Sequence, residues 1–269
     1  MNIGSNGMRK PRALQQEAFG ITVDLLTIDE SIEAVTRLIE GDDPHFKYVV
    51  TPNVDHVVNL RKHAGFRRAY SAASLCVVDG WPVAAVLSAL CGFKVPTVPG
   101  SDLVPKLFES LNERKVPARV FLLGAPPGVA EAARDVIERN WPHLIVVGTF
   151  CPPFGFEKSP QEEKSIQDAI SEARPDILIV GLGAPKQELW CHRNRDSLPK
   201  CVAICAGATI DFIAGSKTRA PEWLKVARLE WLFRLAQEPR RLAGRYMRGA
   251  IIFPVLSARE WLSLKIKKS

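Results

Sequence analysis

Asp79-Gly80 closes the short apolar run Leu75-Cys76-Val77-Val78. A carboxylate at the end of a buried strand is partly desolvated, which raises its pKa toward the range of a general base. The same two residues also compose a plain Asp-Gly turn. Other polar clusters sit at comparable places: Thr51-Pro52-Asn53 follows the apolar residues 48–50, and Pro99-Gly100-Ser101-Asp102 precedes a helical pattern from Leu103. A fourth cluster, residues 181–190, reads Gly-Leu-Gly-Ala-Pro-Lys-Gln-Glu-Leu-Trp after the apolar residues 177–180. Gly181 and Gly183 let the backbone come close to a ligand, and Pro185 suits the first turn of a helix. N–H groups exposed at such a helix start favour an anion such as diphosphate. Lys186, Gln187 and Glu188 then supply polar side chains. An ordinary strand-to-helix turn has the same composition, so the glycines alone decide nothing.

Farther on, Asp211-Phe212-Ile213-Ala214-Gly215 leads to Arg219-Ala220-Pro221-Glu222-Trp223. Then come Glu230-Trp231, Arg234, Glu238-Pro239-Arg240-Arg241 and Arg245-Tyr246. Arginines this dense beside aromatic rings suit phosphate, which their fork-shaped donors bind in pairs. Pairing with the interspersed glutamates on a solvated helix face is the competing use.

The elements that must position these groups alternate. Strands are predicted at residues 21–26, 48–51, 75–78, 119–123, 144–147, 177–180 and 202–206, with helical patterns in most gaps. That order gives an α/β fold, a Rossmann-like, largely parallel sheet covered by helices, with a helical C-terminal appendage. At 269 residues and 46% apolar content the chain can bury a substantial core. Three parts are expected: a flexible tail over residues 1–17 with no secretory signal, an α/β core over 18–213, and a basic helical appendage over 214–269 with helices at 224–236, at 239–247 and from there to 267. Six cysteines (76, 91, 151, 191, 201 and 205) lack the paired spacing of a structural zinc site and read as free thiols of a reducing compartment. Cys201 and Cys205, four apart on a strand, point to one face as core filler.

Net charge is +7, unevenly placed. Residues 216–269 hold 13 Lys or Arg against four Glu, a net +9, which leaves the first 215 residues at −2. Such asymmetry points to an acidic partner: a membrane surface, a nucleic acid or a phosphorylated substrate. No uncharged stretch reaches the ~20 residues needed to cross a bilayer. Ile251, Val255, Ala258, Leu262 and Ile266 nevertheless share one helical stripe, flanked by Arg248, Arg259, Lys265, Lys267 and Lys268, with Trp261 suited to the headgroup level. A terminal helix docked on its own domain shows the same spacing.

Taken in order, Thr51-Pro-Asn53, Asp79-Gly80, Val98-Pro-Gly-Ser-Asp102, residues 181–190, Asp211-Phe-Ile-Ala-Gly215, Arg219-Ala-Pro-Glu-Trp223 and the stretch from Glu230-Trp231 to Arg245-Tyr246 resemble the WecG/TagA/CpsF family of bacterial glycosyltransferases. The resemblance runs from about Ile21 to Tyr246. It implies transfer of a sugar from a UDP-sugar to a sugar on undecaprenyl diphosphate, with inversion and no required metal or other cofactor. The expected location is cytoplasmic, peripheral on the inner face of the cell membrane. N-acetylmannosamine, its uronic acid and glucose are donors of relatives. By the same resemblance Asp79 is the base and Thr51 its polar partner, with Asn53 a further substrate contact. Gly181, Gly183, Lys186, Gln187, Glu188 and Asp211 fall in the nucleotide-binding segments. Arg219, Arg234, Arg241 and Arg245 come from the part that closes over the site. No Asp-X-Asp occurs in the chain, so arginines and backbone N–H groups would stabilise the leaving UDP. The chain departs from the family at Thr97, where members commonly carry Arg, with Lys94 the nearby base.

Two other classes fit parts of the pattern. A nicotinamide-dependent dehydrogenase would use Gly181-Leu-Gly183, but its third glycine would fall at Lys186. A nucleic-acid-binding protein would use the basic tail, but the tail interleaves its arginines with Glu-Trp and Glu-Pro pairs and holds no known module, so no nucleic-acid partner is expected. The segment that closes the site is also a candidate subunit interface, which leaves a homo-oligomer open.

Overall fold

The computed structural model describes residues 14–268, the side chains of 225, 226 and 264–268 excepted. Most of the expected N-terminal tail, and the side chains of the stripe residue Ile266 and of Lys265, Lys267 and Lys268 beside it, lie outside what it describes.

The core is one parallel sheet. Strands β3 (Lys47–Val50), β4 (Leu75–Cys76), β5 (Ala118–Gly124), β6 (Leu144–Phe150), β7 (Ile177–Gly181) and β8 (Val202–Cys205) line up as β4-β3-β8-β7-β5-β6. Every pairing is parallel. Strands β7 and β8 and most of β5 are buried on both faces, which is why they read as unbroken apolar runs. All seven predicted strands are present, although β2 and β6 are only partly buried. An eighth was not legible. β1 (Gln15–Ala18, Gln-Gln-Glu-Ala) pairs antiparallel with β2 (Ile21–Asp24) through a two-residue turn, Phe19-Gly20, and takes up residues 15–17 of the expected tail. Its polar composition hides it. The buried Asp24 ties this hairpin to the sheet edge, accepting from Cys76 N at 2.8 Å and from Gln15 Nε2 at 2.7 Å.

Helices α1 (Ile28–Glu40), α2 (Val54–Lys62), α3 (Ala64–Ser71), α4 (Trp81–Cys91), α5 (Gly100–Glu113), α6 (Val129–Asn140), α7 (Pro160–Ala173), α8 (Lys186–Asn194) and α9 (Thr209–Ile213) cover the sheet. Their starts are readable chemically. Thr27 and Glu30 form a reciprocal capping box on α1, Asn53 caps α2, and Ser159 with Pro160 opens α7. Apolar residues of α2, α3, α4, α7 and α8 fill one face of the sheet, and those of α1, α5, α6 and α9 fill the other. Cys201 and Cys205 lie together in the first of these cores, unoxidised like the other four cysteines.

That division places the site. β8 sends α9 to one face, while its neighbours β3 and β7 send α2 and α8 to the opposite face. Loops diverging from adjacent parallel strands open a crevice at their carboxyl ends. The appendage lies over the core as α10 (Glu222–Val226), α11 (Glu230–Gln237) and α12 (Pro239–Lys268). The single helix expected over 224–236 is broken at Arg228, whose φ of 62° is left-handed. Conversely, the two segments expected after 239 are one helix that runs through Pro254.

Candidate active site

Asp79 stands at the crevice where β4 ends. Its backbone N–H donates to Pro52 O at 3.0 Å, so the loops after β3 and β4 are joined through the backbone. The residue is half-buried, and its carboxyl pKa is pushed up to about 6. Burial is the largest cause; Glu230 and Asp102 add to it, while Arg234 and a hydrogen bond from Asn53 oppose it. Asn53 acts in two directions. Its Oδ1 accepts from the N–H groups of Asp55 (3.1 Å) and His56 (3.2 Å), capping α2, which leaves its amide hydrogens for Asp79. Thr51, one residue past β3, is buried and makes no side-chain hydrogen bond among the described residues. A carboxylate near its own pKa at neutral pH, oriented by an amide and facing a guanidinium, can accept a proton.

The appendage supplies the cations. The Arg219 and Arg234 guanidiniums lie against the Phe212 ring, at 5.8 and 5.5 Å from its centre. Arg219 also bonds Asp102 and reaches Ser101 Oγ at 3.4 Å, both in the first turn of α5. Arg234 pairs with Glu230 at 2.7 Å. Burial works against its charge, but Glu230 and Asp79 outweigh burial and hold its pKa above the ordinary value. The Arg245 guanidinium pairs with Asp55 at 2.7 Å, in the first turn of α2.

The glycine segment is organised from beneath. Gln187 is buried, and its Oε1 accepts from both Gly183 N and Gly207 N at 3.2 Å, so one amide links the loops after β7 and β8. Its Nε2 donates to Glu188 Oε1 at 2.9 Å. Gly183 has a φ of +76°, which suits glycine. Gly181 serves strand packing: a Cβ there would meet Gly207 O at 3.0 Å and Ile210 at 3.1 Å. Glu188 is fully buried, its second oxygen has no partner, and burial pushes its carboxyl up to about 7. Beside it, His56 accepts from or donates to Tyr70 Oη at 2.6 Å, and burial lowers its imidazole to about 4.

The sequence matches the Glycosyl transferase WecG/TagA/CpsF family over residues 16–267. The chain belongs to that family. Two Staphylococcus aureus proteins, from strains MW2 and NCTC 8325 / PS 47, are each 25% identical over 255 residues, spanning 94% of this chain and 95% of theirs. Both are named N-acetylglucosaminyldiphosphoundecaprenol N-acetyl-beta-D-mannosaminyltransferase. Membership of the WecG/TagA/CpsF family makes the chain a glycosyltransferase and displaces the dehydrogenase reading.

In this glycosyltransferase the sequence-derived residues divide. Thr51, Asn53, Asp79, Gly183, Arg219 and Arg234 gather at the crevice or its cover. Glu188 is a correction: expected to touch substrate, it is enclosed among α2, α3 and α8, because the register of α8 turns it toward the core. Gln187 likewise braces the loops from inside. Lys186 pairs with Glu157 at 2.9 Å and lies over the Phe154 ring, toward the β6 side. Asp211 is buried and faces Lys217 at 3.4 Å. Arg241 is exposed on Glu238. Among the described residues no group of three His, Cys, Asp or Glu side chains is placed to hold a metal ion. Phe212, Glu230 and Ser101 were given no role of their own, although each stands within a motif singled out in the sequence.

Proposed function

We propose that this glycosyltransferase moves N-acetylmannosamine, or a closely related sugar, from a UDP donor to a sugar on undecaprenyl diphosphate, with inversion, in cell-envelope polymer assembly. The observation that carries the reading is Asp79, a half-buried carboxyl at the mouth of the crevice, joined to the loop after β3 through Pro52, oriented by Asn53 and raised to about 6. The names of the two relatives support the sugar and the acceptor.

Asp79 takes the proton of the acceptor hydroxyl as its oxygen attacks the anomeric carbon. The bond from that carbon to the phosphate oxygen breaks, and UDP leaves with the electron pair. One base and attack from the face opposite the leaving group give inversion. Arg219 and Arg234, fixed against Phe212, are the best placed to stabilise the charge growing on the diphosphate, with Arg245 and Arg241 farther along the appendage. Preorganised cations of this kind are each worth roughly 10²–10³ in rate. Thr51 offers its unpaired hydroxyl to substrate, and the bracketed glycine loops support the nucleotide. No metal is assigned a part in this reading.

Membrane contact belongs to α12. Leu242, Gly249 and Phe253 dock it on the core, and Ile251, Val255 and Leu262 on the opposite side are 67%, 49% and 54% exposed, flanked by exposed Arg248 and Arg259. Among the described residues no helix is long and apolar enough to cross a membrane. An amphipathic helix lying in the surface of the inner leaflet fits that arrangement. Turnover of UDP-sugars in the presence of chelator tests the proposal: transfer of N-acetylmannosamine to a prenyl-diphosphate-linked N-acetylglucosamine supports it, and UDP binding with no transfer of any sugar contradicts it.

A further inference from the structure

Trp81 begins α4 two residues after Asp79 and is 43% exposed. The Arg228 guanidinium lies over its ring, 5.4 Å from the centre. Three features set this pair apart. The first is its side of the sheet. β4 is the outermost strand, with β3, β8 and β7 inward of it, so the glycine loops lie inward of Asp79, whereas α4 packs against β1 of the hairpin beyond β4 and against α12. A base that deprotonates the acceptor must stand beside its hydroxyl, on the side away from the leaving diphosphate, so with the nucleotide over the glycine loops the acceptor lies toward Asp79 and the start of α4.

The second is charge. Arg219, Arg234, Arg241 and Arg245 each face a carboxylate, of Asp102, Glu230, Glu238 and Asp55 respectively. Among the described residues Arg228, like Arg240, Arg248 and Arg259, pairs with no carboxylate, and of these four it is the one whose guanidinium lies over an aromatic ring. Stacking on an aromatic face holds a guanidinium in plane without neutralising it, so its donors remain available to an anion. The third is conformation. Arg228 occupies left-handed backbone, φ 62°, where glycine fits without cost and other residues lose about 1 kcal/mol or more.

We infer that Trp81 and Arg228 form the acceptor subsite of this enzyme, the indole a platform for the acceptor sugar and the guanidinium the holder of the acceptor's diphosphate. The inference rests on the glycosyltransferase reading above. It gives the appendage arginines separate roles, since those fixed near Phe212 face the departing UDP and Arg228 faces the diphosphate that stays on the lipid.

The test varies a water-soluble, short-chain prenyl-diphosphate-linked N-acetylglucosamine at saturating donor, and titrates UDP by calorimetry. Arg228→Gly removes the charge while accepting the left-handed backbone, so a loss cannot come from a strained turn. It is expected to raise the acceptor KM about tenfold or more, the scale of a lost charge-assisted pair, with UDP affinity and donor KM within about twofold. Arg228→Lys restores part of the loss. Trp81→Ala raises the acceptor KM, and Trp81→Phe does so far less. An Arg228→Gly enzyme with an unchanged acceptor KM, or with weakened UDP binding, overturns the subsite while wild-type turnover leaves the parent reading standing. A wild-type protein that transfers nothing to this acceptor overturns both.

Discussion

Asp79 has a folded-state pKa above its unfolded one, and the sign of that shift predicts two opposite effects. Burial favours the neutral acid, so the proton-accepting form is present above about pH 6 and kcat/KM should fall as pH drops through that value. The same shift means that the folded protein holds this proton more tightly than the unfolded chain between about pH 4 and 6, so Asp79 costs stability above that window. Asp79→Asn should therefore melt higher at pH 7, by about 1–3 kcal/mol, while losing most turnover. A variant both slower and less stable would show that the shift had been assigned the wrong sign. The places of Asp79 and of Thr51-Pro52-Asn53 were legible in the sequence, because each follows an apolar run, whereas the roles proposed for them came from the family resemblance. The double use of the Asn53 amide was not legible, since it depends on β3 and β4 being neighbours.

Gln187 and Glu188 show what an element does to a motif. In sequence they are two polar residues after a glycine turn; on α8 both are buried, Gln187 holding the loops after β7 and β8 and Glu188 holding Gln187. Gln187→Leu leaves two glycine N–H groups without their acceptor, and we expect UDP affinity to fall roughly tenfold at a cost of about 1–3 kcal/mol in stability, read by calorimetry and urea unfolding. Glu188 must carry an enclosed charge above about pH 7, so stability contributed by its neutral form is lost as pH rises through 7. Glu188→Gln should flatten the unfolding free energy between about pH 4.5 and 7, the window between its unfolded and folded values; an unchanged slope there would exclude Glu188 as its source. Periodicity found every buried strand and missed β1, whose four residues contain one apolar side chain. It also merged α10 with α11, because nothing in the local pattern announces a left-handed arginine at 228.

At the scale of the whole molecule, a basic appendage lies across an α/β core and presents one apolar stripe outward. The charge imbalance was plain in the sequence, whereas which face of α12 docks was not, because both faces carry apolar residues at helical spacing. The docked face meets Val54 and Phe19 through Gly249 and Phe253. Replacing Ile251 and Leu262 together by Glu should reduce binding to vesicles containing anionic lipid, leave the melting temperature unchanged, and leave turnover of a soluble acceptor intact; undiminished vesicle binding would move the membrane contact elsewhere. With about 1 kcal/mol per basic residue near an anionic leaflet, the attachment should also weaken with salt. The most direct test of glycosyl transfer with Asp79 as base is to compare wild type and Asp79→Asn in transfer from UDP-N-acetylmannosamine to a short-chain diphospholipid-linked N-acetylglucosamine, with chelator present and UDP affinity measured in parallel. Loss of turnover on the order of 10²–10⁴ with UDP affinity retained is the predicted result. An Asp79→Asn enzyme within a few-fold of wild type would contradict it.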